Sequence, residues 1–284
     1  MKITKKFLTC LVLALLMMSV TVTAFAAEGT TDWGKGVIRV IGNGVGKAKY
    51  KNKSPGQYRL TAQQAARMDA QRKLAEYAMG VQVSADSSMT DLALDDDTVK
   101  TRLNSVILKN AVQIGEAKYY EDGICEIVME LNLYGGVESV AEIAFTPYKN
   151  EPKVSFPAPV DITIINQPSV VGNNYTGLVI DCRGLGGVNP VMSPVIKNTN
   201  GQAIYGHQNL DYDKIIVNGM ASYAEDAYDQ VSRERAGNNP LVIKAVKLSD
   251  LNANPVVSVE DADKILAANQ YDRFLENCAV VFVR

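Results

Sequence analysis

QYRLTAQQAARMDAQRKLAEYAM, residues 57–79, decides how the first half of this chain folds. Ala62, Ala66, Ala70, Leu74 and Tyr77 recur at spacings of four and three, the period of one helix face, while Gln63, Arg67, Gln71 and Lys73 occupy the other. Alanines on the buried stripe let a helix lie close against a sheet. Gly80 is expected to end the helix in a left-handed conformation, which glycine adopts without a Cβ clash.

The neighbouring segments supply the sheet. Val37, Arg39, Ile41 and Asn43 alternate with Ile38 and Val40, and Val81, Val83 and Ala85 suggest a further strand. Asp95, Asp96 and Asp97 offer acidic capping to a second helix running to about Asn110, with Val99, Leu103, Val106 and Ile107 as its apolar stripe. Residues 112–120 and 124–133 flank Glu121-Asp122-Gly123, a hairpin signal. In the second of these strands Cys125, Ile127, Met129, Leu131 and Leu133 share one face, so the sheet has one wet side and helices on the other. Residues 33–146 therefore read as one α+β unit.

A proline-bearing linker is expected over 147–160, where Pro147, Pro152, Pro157 and Pro159 fall among Lys149, Asn150, Glu151 and Lys153. A second α+β unit follows over 161–284. It opens with an apolar run at 161–165; residues 175–182 are almost continuously apolar, the mark of a central strand buried on both faces. Residues 191–198 and 203–205 suggest a hairpin around Asn200-Gly201, and Ser258 with Asp261 opens a late helix. The expected fold is α+β in two small domains, each a mainly antiparallel or mixed sheet with helices packed on one face.

Residues 1–26 read as a secretory signal peptide. Lys2, Lys5 and Lys6 precede an apolar run over 7–22, and Ala24-Phe25-Ala26 supplies small residues at a cleavage site. A periplasmic or secreted location follows, with no transmembrane segment after processing near Ala26. Removing that segment takes away three lysines and no acids, moving the net charge from -2 to -5. An acidic chain lacks the basic stripe that nucleic acid requires, so nucleic acid is not an expected partner. The cysteines left after processing, Cys125, Cys182 and Cys278, lie in apolar surroundings and lack metal-ligand spacing; each reads as a buried free thiol, with a Cys182–Cys278 disulfide as the alternative.

Motifs with chemical promise fail on spacing. Gly42, Gly44 and Gly46 with Lys47 lack both the phosphate-loop and the dinucleotide spacing, so they read as a glycine-rich strand. The acidic run over 91–97 lacks the glycine and terminal glutamate of a calcium loop, and helix capping is the better account, with a weak cation site on Asp86, Asp91, Asp95, Asp96 and Asp97 as the alternative. His207 is the sole histidine and reads as a loop residue; no catalytic residue, cofactor or metal site is expected. The segment from Gly177 through Asp181, Arg183, Gly184, Gly186 and Gly187 resembles the strand and glycine turn of tail-specific serine proteases. That resemblance implies a serine nucleophile with a lysine base, but Ser193 precedes Pro194 and no helical Ser-x-x-x-Lys follows. Asp181 and Arg183 instead suggest a fixed charge pair, with Gly184, Gly186 and Gly187 permitting close backbone approach. These five residues are the expected interaction surface.

Residues 65–76, Gly80-Val81-Gln82-Val83 and the hairpin with Gly123 and Val128-Met129-Glu130-Leu131 resemble a domain of bacterial envelope proteins. The family includes outer-membrane lipoproteins of the Helicobacter type and the amino-terminal domain of flagellar assembly protein T. The resemblance covers about 33–135, and the second unit looks like the carboxy-terminal part of longer members. It implies a non-enzymatic scaffold or binding protein of the cell envelope, with an envelope or flagellar basal-body protein, or a second copy of itself, as partner.

Overall fold

The computed structural model describes residues 29–46, 54–160 and 173–284; the leader read over 1–26 and the apolar run at 161–165 lie outside the described residues. The chain is mixed α+β, with a second domain from residue 177 onward. In the first unit β1 (Gly29–Asp32) and β2 (Val37–Val45) form a hairpin, and β3 (Val112–Tyr119) and β4 (Ile124–Asn132) form another. They make an antiparallel sheet in the order β1-β2-β4-β3.

Helix α1 (Pro55–Met79) lies across this sheet with Ala62, Ala66, Ala70, Leu74 and Ala78 buried. Ser54 caps it through a reciprocal bond with Gln57, and Pro55 occupies the first turn, where its missing N–H costs nothing. The glycines of β2 complete the fit: a Cβ on Gly42 or Gly44 would overlap the backbone of Ala66. The glycine-rich strand is thus the groove into which the alanine face settles.

Three local expectations change. Gly80 is right-handed, at φ -83 and ψ -5, because its N–H still bonds back to Ala78 and Tyr77 while the Thr90 hydroxyl, at 2.8 Å, satisfies the Met79 carbonyl. Residues 81–85 form no strand beyond one isolated bridge from Gln82 to Ser88. The aspartate run is divided between helices. Ser88 and Asp91 cap α2 (Met89–Asp95), and the Asp96 carboxylate accepts the Thr98 N–H at the start of α3 (Thr98–Asn110), while Asp97 makes no side-chain cap bond. A further helix, α4 (Val140–Phe145), was not expected; its six residues are apolar apart from Glu142, and its apolar side chains are all buried.

The second unit holds two sheets. Strands β8 (Ser222–Ala224), β12 (Val280–Val283), β5 (Gly177–Asp181) and β9 (Pro240–Lys244) lie side by side in that order, every pair parallel. The second sheet, β10 (Lys247–Ser249), β11 (Asn254–Val257), β6 (Ile196–Asn198) and β7 (Ala203–Tyr205), is mixed. Leu178, Ile180, Val280 and Phe282 face the main core, while Val179, Val281 and Val283 face a small core with Ala236 of α6 (Gln230–Ala236). The apolar run through β5 is explained by this two-sided cover, which a parallel sheet requires. Helix α5 (Tyr212–Asn218) and helix α7 (Val259–Asp272) complete the unit.

The two units share one buried apolar cluster, and backbone bonds cross between them. Met192 and Ser193 donate to Gln82 and Val83, and Gly135 and Gly136 both donate to Ile216. The proline-bearing segment is also docked: Val154 N–H bonds Gln208 O at 2.8 Å, and Val160 N–H bonds Asp263 Oδ1 at 2.7 Å.

Cys125, Cys182 and Cys278 are buried and free. Cys182 follows β5 and Cys278 precedes β12. Since β5 and β12 are parallel with Leu178 opposite Val280, the two thiols are offset by about six residues, on the order of 20 Å. A disulfide needs Cα atoms within about 7 Å, so that pair is excluded. Burial pushes the Cys182 thiol up to about 12.

Candidate functional site

Two places carry convergent polar chemistry. The first is the glycine turn at the carboxyl end of β5. Asp181 is the last residue of that strand, and its carboxylate takes Arg183 through Nε at 2.9 Å and Nη2 at 2.7 Å. The remaining Nη1 reaches Asp226 at 3.1 Å. The Arg183 guanidinium holds the Asp181 carboxyl below the usual carboxylate range. Gly184, Gly186 and Gly187 have φ of 84, 88 and 90, and a Cβ on any of them would meet nothing within 4 Å. They serve the backbone turn, and the expected close approach at this loop is absent. The pair predicted from the sequence forms, but both its partners lie in the chain itself.

The second place is a cleft of about 470 Å³ between the units. One wall is the loop after α1, with Ser84 and Asp86; Tyr148 comes from a single 3-10 turn after α4. The other wall comes from the mixed sheet: Ser193 and Lys197 on the approach to and within β6, His207 after β7, and Asp250 and Asn254 around the β10–β11 turn. Asp250 accepts from Lys197 Nζ at 2.6 Å, Asn254 Nδ2 at 2.8 Å and Ser249 Oγ at 3.0 Å, and these donors hold its carboxyl at about 2.

His207 is not the isolated loop residue the sequence suggested. Its Nδ1 lies 3.5 Å from Ser193 Oγ and its Nε2 3.5 Å from Glu151 Oε2. Its ring stacks on Tyr148 with centroids 4.2 Å apart. Burial lowers the imidazole pKa, opposed by the Glu151 charge, which leaves the ring neutral near pH 7. Sequence reading missed this group because its members come from three distant segments; a lone histidine and a glutamate among prolines carry no spacing signal.

A serine, a histidine and a carboxylate in line invite an acyl-transfer reading, and the surroundings oppose it. Both contacts are long for hydrogen bonds, and Ser193 is 4% exposed. The neighbouring N–H groups that would stabilise an oxyanion are engaged: Met192 with Gln82 O, Ser193 with Val83 O, and Val195 with Asn254 Oδ1 at 2.8 Å. Residue 194 is proline and has no N–H to offer. Lys197, four residues after Ser193, is bound by Asp250. Among the described residues no group of three or more histidine, cysteine, aspartate or glutamate side chains is placed to hold a metal ion. Among them, too, no helix is long and apolar enough to cross a membrane.

Residues 177–284 match the family model described as Treponema pallidum Tp0624, second domain. The matched span begins at the first residue of β5 and takes in both sheets of the second unit, the glycine turn and the mixed-sheet wall of the cleft. This part of the chain is similar to a domain of a bacterial, spirochaete protein. Ser84, Asp86, Tyr148 and Glu151 lie outside the matched span, as does the stretch over 33–135. No curated protein matches the chain.

Proposed function

We propose that this protein is an exported, non-enzymatic scaffold or binding protein of the bacterial cell envelope, at work in outer-membrane or flagellar assembly. The observation that carries the reading is the inter-unit cleft, where polar side chains converge while the backbone donors that acyl transfer would need are already engaged. The leader pattern over 1–26 and the resemblance over 33–135 supply the compartment. The Asp181–Arg183 turn, exposed at the end of the parallel sheet, is the proposed contact surface for an envelope or basal-body protein. In-cell cross-linking from that turn should capture such a protein, and Arg183→Ala should reduce its yield while the chain stays folded. Capture unchanged by that substitution removes the turn from the interface.

The competing reading is a serine hydrolase, favoured by the Ser193, His207 and Glu151 alignment. Purified protein offered unstructured peptides distinguishes the two. No hydrolysis is expected; turnover that disappears in Ser193→Ala would replace the binding reading with a catalytic one.

A further inference from the structure

We propose that the inter-unit cleft binds a small organic cation bearing a primary ammonium group, held by Asp86 beside Tyr148. The proposal rests on the reading of the cleft as a binding site and adds the class of ligand. At about 470 Å³ the cavity falls within the roughly 300–1,000 Å³ of small-molecule sites. Its charges decide the sign of the occupant. Lys197 and Asp250 bind one another across 2.6 Å and so neutralise each other. Asp86 has no such counterpart: its carboxylate takes the Ser84 hydroxyl at 2.8 Å, and among the described residues no cation pairs with it. His207 is neutral near pH 7, because burial lowers its pKa.

The charge left over in the cleft is therefore one exposed anion. Tyr148 borders the same space. A carboxylate bordering such a space suits an ammonium, which gains from the ion pair, while one face of the Tyr148 ring is taken by His207. An anionic ligand finds no free donor of positive charge here, since Lys197 is engaged. Ser84, Asp86 and Tyr148 come from the first unit and its following segment, outside the matched span, so the proposed contact faces the matched domain across the cleft.

Calorimetric titration of the whole protein at low salt and neutral pH tests this with pentylamine as probe, and pentanol and pentanoate as neutral and anionic controls of equal length. Pentylamine should saturate the protein below about 1 mM, weaken with added salt, and lose about tenfold in affinity in Asp86→Asn. Asp86 is exposed and outside the core, so the variant should fold; its melting temperature checks that. Tighter binding of pentanol or pentanoate overturns the ligand class and leaves the cleft a binding site. Unchanged affinity in Asp86→Asn, or no saturation by pentylamine, overturns the proposal. Peptide turnover dependent on Ser193 would instead remove the binding reading beneath it.

Discussion

The protein uses two glycine clusters in opposite ways. Gly42 and Gly44 sit in a regular strand with ordinary backbone angles, and the space where a side chain would go is filled by the backbone of α1. Gly184, Gly186 and Gly187 sit in a turn with open space around them, but at positive φ that other residues resist. One cluster exists because something lies too close; the other because the chain turns the wrong way for a side chain. A glycine count cannot separate these causes, and they differ in the damage a methyl group would do.

Gly44→Ala should be the most damaging single change. The added Cβ would run into the Ala66 amide, and a helix backbone cannot step aside as a side chain can. The whole of α1 would have to lift from β2 and β4, which costs about 3 kcal/mol or more and lowers the melting temperature by roughly 10 °C. Retention of the parent melting temperature would mean that α1 sits higher on the sheet than described. Gly219→Ala combines both causes. It has φ 72 and ψ 168, a region nearly restricted to glycine, and its Cβ would fall 2.6 Å from the Tyr134 ring at the junction of the units. Because the obstacle is a side chain, a smaller loss of about 2 kcal/mol is expected from denaturant unfolding.

Which parts of this were legible beforehand follows from how local each signal is. Helix α1 and the β3–β4 hairpin were readable because their periodicity lies within a few turns or one tight loop. The two-sided burial of β5 was readable from its unbroken apolar run. Its parallel pairing with β12 was not, because those strands are separated by about a hundred residues and parallel partners share no turn. The β6–β7 hairpin was readable from the Asn200-Gly201 turn between its strands, whereas β8, β10 and β11, three or four residues each, are too short to show alternation. The Asp181–Arg183 pair was visible since its members are two apart in sequence. The cleft was invisible: Asp86, Tyr148, His207 and Asp250 carry no mutual spacing and meet only when the two units close on one another.

Gly186→Ala isolates the second cause. With nothing near the new methyl group, the cost is the backbone preference alone, about 1 kcal/mol. A loss equal to that of Gly44→Ala would show that the open turn is in fact packed. Acid titration extends the contrast from backbone to charge at the β10–β11 turn. The Asp250 carboxyl is held at about 2, against an ordinary value of about 4, so its contribution to stability is complete above about pH 4 and is lost as pH falls toward 2. Thermal melts of Asp250→Asn should show a shallower decline across that window than the parent protein, by a modest amount because the group is partly exposed to solvent. Parallel curves for the two proteins would mean that Lys197 and Asn254 do not hold the carboxylate.

The smallest effect is expected at the charge pair beside the open glycines. Arg183 is 49% exposed, and its bonds to Asp181 and Asp226 are made in competition with water. Arg183→Ala should therefore lower stability only slightly, despite three contacts to carboxylates. That modest expectation is what makes the position informative. If the loss stays this small while capture of an envelope partner falls, the arginine acts at the surface and the glycine turn serves to present it. A loss approaching that of Gly219→Ala would mean that the guanidinium holds the carboxyl ends of β5 and β8 in register, with the open loop as its by-product.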